Sequence, residues 1–238
     1  MLQMNDILVW VILFGANLLQ AITGFAGTLI SMPPTIKLIG VDEAKALLNA
    51  IAQISSLMIV ITGWKHINWK EFGKMFVLMA LGMLAGIRLF ELFPVDQLLI
   101  VYGIMIILIA LQKLFGKQEI RLPQPAMLLV IFAAGIIHGM FVSGGALLVI
   151  YAASVLHDKE EFRATVALIW VTIGCYITGV QVQAGHFNMH VIFLMLVGII
   201  PVFAGTWIGI KLVKKIRQDV FMKITYILLL LSGIMAIV

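Results

Sequence analysis

Few side chains in this chain stand where they could bind or react. The long apolar runs are interrupted by Asn17, Gln20, Asn49, Gln53, His138, Thr165, Thr172 and Thr178, and by two stretches rich in small residues, Thr23-Gly24-Phe25-Ala26-Gly27-Thr28 and Ser143-Gly144-Gly145-Ala146. Glycine lets backbone approach a ligand closely. A half-helix restarting around Thr28, and another around Ala146, would aim unpaired N–H groups and the positive end of its dipole at the break. That is the chemistry of an anion site. Thr28 and Ser143 hydroxyls would add donors there. Gln20 lies four residues before Gly24, and Asn49 with Gln53 forms an i, i+4 pair on one helix face, so these amides are candidate lining groups. Phe25 and Trp170 are candidate caps of the same cavity, against the plainer reading of aromatic packing. His138, five residues before Ser143, is the strongly titratable side chain expected at depth, a candidate for proton coupling or, more plainly, a satisfied buried histidine. No carboxylate is expected at depth, which removes the usual proton relay.

The elements that must position these groups belong to a membrane. Of 238 residues 63% are apolar, and the 21 glycines raise that share to roughly 72%, against about 45–50% for soluble domains. Charged residues make up only 11%, too few to cover a soluble surface. A formal charge of +5 arises from short Lys and Arg clusters between apolar runs, the pattern of membrane loops rather than of a nucleic-acid surface. The single Cys175 lies in an apolar run and reads as a small buried hydrophobe, with no disulfide framework and no cysteine metal cluster. Residues Met1–Asp6 lack the basic start of a signal peptide, so the first segment is expected to stay in the mature protein.

Apolar runs fall near 7–39, 46–62, 72–93, 97–115, 126–156, 164–182, 190–210 and 220–238. A crossing helix needs about 20 residues, so the long, glycine-broken first and fifth runs stand apart. Joints 63–74, 113–121 and 211–217 are basic and are expected inside the cell; joints 93–97 and 182–190 carry no Lys or Arg and are expected outside. An odd number of crossings must then separate 113–125 from 182–190, so run 126–156 is expected to enter and leave by the cytoplasmic face. By the same logic 7–39 dips from outside, and both termini lie outside. The pattern Gly82-x3-Gly86-x-Arg88-Leu89 with Asp96 recurs as Gly205-x3-Gly209-x-Lys211-Leu212 with Asp219, and weaker echoes pair Lys45-Ala46 with Arg163-Ala164. These glycines, four apart, are expected to let helices pack closely. The expected fold is therefore an all-α polytopic membrane protein of two inverted repeats, each a glycine-broken re-entrant hairpin plus three transmembrane helices: 1–115, a cytoplasmic linker 116–125, and 126–238. Inverted repeats with broken helices near the midplane are a recurring plan of secondary carriers.

At the breaks the sequence resembles the TauE/SafE family of sulfite and organosulfonate permeases. Gly24-Phe25-Ala26-Gly27-Thr28 with Pro33 is similar to the family's Gly-x-Gly-Gly-Gly stretch with its later proline, two of the glycines being replaced here by Ala26 and Thr28. Ser143-Gly144-Gly145-Ala146 and the run Leu147 to Tyr151 resemble a Ser-Gly-Pro-Pro motif followed by aliphatic residues and Tyr. The resemblance covers nearly the whole chain. It implies carriage of small anions such as sulfite, organosulfonates or related carboxylates across the bacterial inner membrane.

Two other classes compete. Anion-lined breaks also serve channels. Val142-Ser143-Gly144 overlaps the Gly-x-Ser-Gly of rhomboid-type proteases, but Phe141 replaces the leading glycine and His138 is the only histidine expected at depth, the others lying in joints. A transporter without enzymatic activity, cofactor or metal is the expectation. Its partners are a small anion and the bilayer, not nucleic acid. The sequence leaves oligomeric state open.

Overall fold

The computed structural model describes residues 4–90, 123–142 and 144–237, with scattered positions between 100 and 115. Among these the chain is helical, with no strand. The helices are α1 (Met4–Thr23), α2 (Ala26–Ile39), α3 (Val41–Gly63), α4 (Trp69–Phe90), α5 (Gln124–Phe141), α6 (Gly145–Val155), α7 (Lys159–Gln183), α8 (Met189–Val213) and α9 (Gln218–Ile237). The predicted crossing 97–115 and most of the linker lie outside the described residues.

Local chemistry sets the boundaries. Asp158 caps α7 by accepting from the N–H groups of Glu160 and Glu161, and Asn188 caps α8 by accepting from Val191 N–H. Gly40, at φ 87°, lets α2 pass directly into α3, a turn that strains other residues. Gly24 (φ 85°) and Val142 (φ 54°) take the left-handed conformation at the two breaks. Each follows a closing hydrogen bond of one kind: Gly24 N–H to Gln20 O at 2.7 Å, Val142 N–H to His138 O at 2.8 Å. The breaks thus turn the chain at equivalent points, 118 residues apart.

Both broken runs are hairpins. Across the first, Gln20 meets Gly27 near the tip while Asn5 Nδ2 lies 3.5 Å from Leu38 O at the open end. That end shares a face with the starts of α3 and α8, where His190 lies 3.0 Å from Glu43 and 3.1 Å from Asp6. The second hairpin opens on the opposite face. There Tyr151 donates to Glu71 at the start of α4, and the Gln218 side chain at the start of α9 donates to His157 O. Helices α3 and α7 run antiparallel between them: Asn49 meets Thr178, Gly63 meets Ala164, and the Asn68 side chain donates to Glu161.

Glycine seams hold hairpins to spans. A Cβ on Gly82 would lie 2.1 Å from Phe132 O, and one on Gly86 2.1 Å from Ile136 O, so α4 and α5 touch backbone to backbone. Gly205 and Gly209 bring α8 equally close to Phe14 and Leu18 of α1. The expected packing role of these four glycines holds, and Gly135 and Gly139 answer them from α5 against Met79 and Met83.

Five helices, α1, α3, α4, α7 and α8, are long and apolar enough to cross a membrane. Their outer faces carry Ile61, Leu129, Leu196, Ile200 and Trp207, all exposed. This apolar exterior corrects the reading of Cys175, which is exposed on α7 rather than buried. In lipid an apolar side chain gains little by turning inward, so hydrophobicity alone does not place it in the core.

Candidate functional site

The two hairpin tips meet. A Cβ on Gly145, the first residue of α6, would lie 3.5 Å from both Cβ and O of Phe25 and 3.4 Å from the Trp170 ring. Beside this meeting point is a cavity of about 350 Å³ counted out to its mouth, at the lower end of the usual 300–1,000 Å³ of small-ligand sites. Gln20, Phe25, Thr28, Asn49, Ala52, His138, Val142, Gly145 and Trp170 line it. Seven of these were sequence candidates. Ala52 and Val142 were not, since an aliphatic residue in an apolar run gives no signal of its own.

Trp170 joins the hairpins. Its Nε1 donates to Gly24 O at 2.7 Å, and its ring lies 5.2 Å from the His138 ring, centroid to centroid. His138 is 5% exposed, and neither ring nitrogen has a hydrogen-bond partner among the described residues. A buried unpartnered donor or acceptor costs about 1–3 kcal/mol. The satisfied-histidine reading therefore fails, and a polar ligand in the cavity would remove the cost. No Asp or Glu lines the cavity among the described residues.

The first tip departs from the expected nest of open N–H groups. Thr23 Oγ1 accepts from Ala26 N–H at 3.2 Å and from Phe25 N–H at 3.4 Å, and Gln20 Oε1 accepts from Gly27 N–H at 2.9 Å. The chain supplies its own cap here, because Thr23 stands one turn before α2 and Gln20 folds across the hairpin. Gly24, Ala26 and Gly27 therefore shape the tip rather than present free donors. Thr28 on α2 does reach the cavity.

The second tip is different. α6 begins at Gly145 with no side-chain cap. Gly144 and Gly145 differ sharply: a Cβ on Gly144 would lie 2.1 Å from Ala134 O, whereas one on Gly145 meets only ordinary contacts. Gly144 is thus required by packing, and Gly145 faces the cavity. Ala146 is fully buried behind it. Ser143 lies outside the described residues.

The amide pair divides. Asn49 Nδ2 reaches Thr178 Oγ1 at 2.9 Å and Gln181 Oε1 at 3.2 Å while also lining the cavity. Gln53 donates to the same Thr178 hydroxyl and ties α3 to α7 outside the lining. The remaining polar interruptions hold helices: Thr165 accepts from Asn68 N–H, Thr172 bonds its own helix, and Asn17 donates to Leu13 O.

A family model described as sulfite exporter TauE/SafE matches residues 9–236. The chain belongs to that family. No curated protein and no solved structure gives a match. With its apolar helices, this TauE/SafE chain is a multi-pass membrane protein of a transporter family. Sequence reasoning missed one residue of this region: Arg163, placed in a joint, is 2% exposed, with its backbone and Cγ against Gly24 at the first tip. The signal available was the echo of Lys45-Ala46 in Arg163-Ala164.

Proposed function

We propose that the protein is a secondary carrier that moves a small oxyanion, sulfite or an organosulfonate or related carboxylate, across the bacterial inner membrane. The observation that carries this reading is the buried, unpartnered His138 at a cavity between two hairpins that enter from opposite faces. The ligand site is formed by the uncapped start of α6 at Gly145, the His138 ring, the Thr28 hydroxyl and the Asn49 amide, with Phe25 and Trp170 closing it. The positive start of α6 favours an anion without placing a full charge at the centre.

Two features support alternating access. The chain halves, 1–115 and 126–238, exchange roles about α3 and α7: α1 packs on α8 as α5 packs on α4, in keeping with an inverted repeat. Ser55 of α3 and Thr206 of α8 join the halves by one hydroxyl pair at 2.9 Å, a contact that a rocking motion can remake. The basic joints place the α4, α7 and α9 starts in the cytoplasm and both termini outside.

Counterflow in proteoliposomes tests the reading. Unlabelled sulfite inside should drive transient accumulation of labelled sulfite above equilibrium. Passive equilibration without overshoot would instead indicate a channel.

A further inference from the structure

We propose that Lys45 and Arg163 are two further anion subsites, one on each side of the central cavity, which receive the substrate from opposite membrane faces. The inference rests on the carrier reading and extends it from the site to its two approaches. Lys45 is the fifth residue of α3 and Arg163 the fifth residue of α7, 118 residues apart. The same spacing relates Gly24 to Val142 and Gln20 to His138, the residues that turn the hairpins. Each cation stands at the tip of the other half's hairpin. Lys45 Nζ lies 3.4 Å from Met140 O, two residues before Val142. Arg163 Cα and Cγ lie 3.3 and 3.5 Å from where a Cβ on Gly24 would be.

A structural tie would be the ordinary explanation of a buried cation. Arg163 does not provide one through its charge, since its guanidinium pairs with Glu160 on its own helix and its buried Nε finds no acceptor among the described residues. A charge kept in such surroundings calls for a partner of opposite sign. Guanidinium and ammonium groups donate only, so the matching ligand is an oxyanion, which the guanidinium can hold by two parallel bonds. Their places fix the order of events. Each helix begins at its own face, so each cation lies one turn inside that face and directly before a hairpin tip. An anion entering from the Glu43 and His190 face meets Lys45 first, and one entering from the Lys159 and Glu161 face meets Arg163 first.

Sided uptake of labelled sulfite into right-side-out and inside-out vesicles tests this. Lys45→Gln should raise KM about tenfold for entry from the Glu43 face and leave the other KM within about twofold, and Arg163→Gln should do the reverse. Arg163→Lys, which keeps the charge, should restore most of the affinity. Equal changes from both faces, or a change in maximal rate alone, would make the two residues structural tethers and overturn the proposal. Should Arg163→Gln fail to reach the membrane, Lys45→Gln decides alone, because Lys45 is only partly buried. If the wild-type protein moves no sulfite in either vesicle type but moves another small anion, the arms are repeated with that anion. If it moves none, the carrier reading itself falls, a result distinct from loss of sidedness.

Discussion

Two adjacent glycines at the second break should respond oppositely to the same added methyl group. In Gly144→Ala the new Cβ would lie 2.1 Å from Ala134 O, 2.8 Å from His138 Cβ and 3.1 Å from Ala134 C. Two of these atoms are backbone, so α5 and α6 must separate by more than an ångström near the tip. Overpacking of this kind costs roughly 1–3 kcal/mol, and a backbone clash belongs at the upper end. In Gly145→Ala the nearest atoms lie at 3.4–3.5 Å, ordinary contact distance. Replacing a helical glycine there contributes about 0.5–1 kcal/mol of stability. The variants should therefore differ by about 3–4 kcal/mol, which for a chain of this length is roughly 6–16 °C in unfolding midpoint. Thermal unfolding of the detergent-purified variants measures this directly. Equal midpoints, or a more damaging Gly145→Ala, would refute the assignment of Gly144 to packing and Gly145 to the cavity.

His138→Leu removes two buried nitrogens that lack partners, so the anion-free protein should gain about 1–3 kcal/mol while anion affinity falls; unfolding midpoints with and without sulfite separate the two effects. Trp170→Phe deletes the donor to Gly24 O and leaves that buried carbonyl only the 3.3 Å bond from Gln20, so stability should fall by about 1–3 kcal/mol and transport should weaken with it. Thr23→Val uncaps α2 and should cost about 1 kcal/mol, read as a lower unfolding midpoint with the second tip undisturbed. Gly82→Val pushes α4 from α5 by backbone contact and should abolish a stable fold, whereas Gly179→Ala, with open space around it, should leave the midpoint nearly unchanged.

What the residues disclosed, and what they hid, follows from the solvent. Glycine breaks in overlong apolar runs announced the hairpins, since lipid tolerates irregular backbone only where protein covers it. The four-residue glycine spacing announced the seams for the same reason. The cavity was half legible: Gln20, Asn49, His138 and Trp170 stood out as polar or aromatic interruptions, while Ala52 and Val142 were indistinguishable from their neighbours. Cys175 was misplaced because lipid-facing and buried positions look alike in composition. The capped first tip was hidden because Thr23 and Gln20 act across a turn whose geometry depends on Gly24. Arg163 was hidden because a charge beside a polar joint reads as a loop residue, and only the fold presses it against the opposite hairpin.

The central claim is that an oxyanion binds between the hairpin tips. Unfolding midpoints of the purified protein against sulfite, thiosulfate, sulfoacetate, taurine, acetate, citrate and phosphate test it most directly, because a ligand that binds the native state raises the midpoint by mass action. A selective, concentration-dependent rise with one of these anions, lost in Gly145→Val while that variant stays folded, is the predicted result. No rise with any anion, or a rise that Gly145→Val leaves unchanged, would contradict a site between the tips.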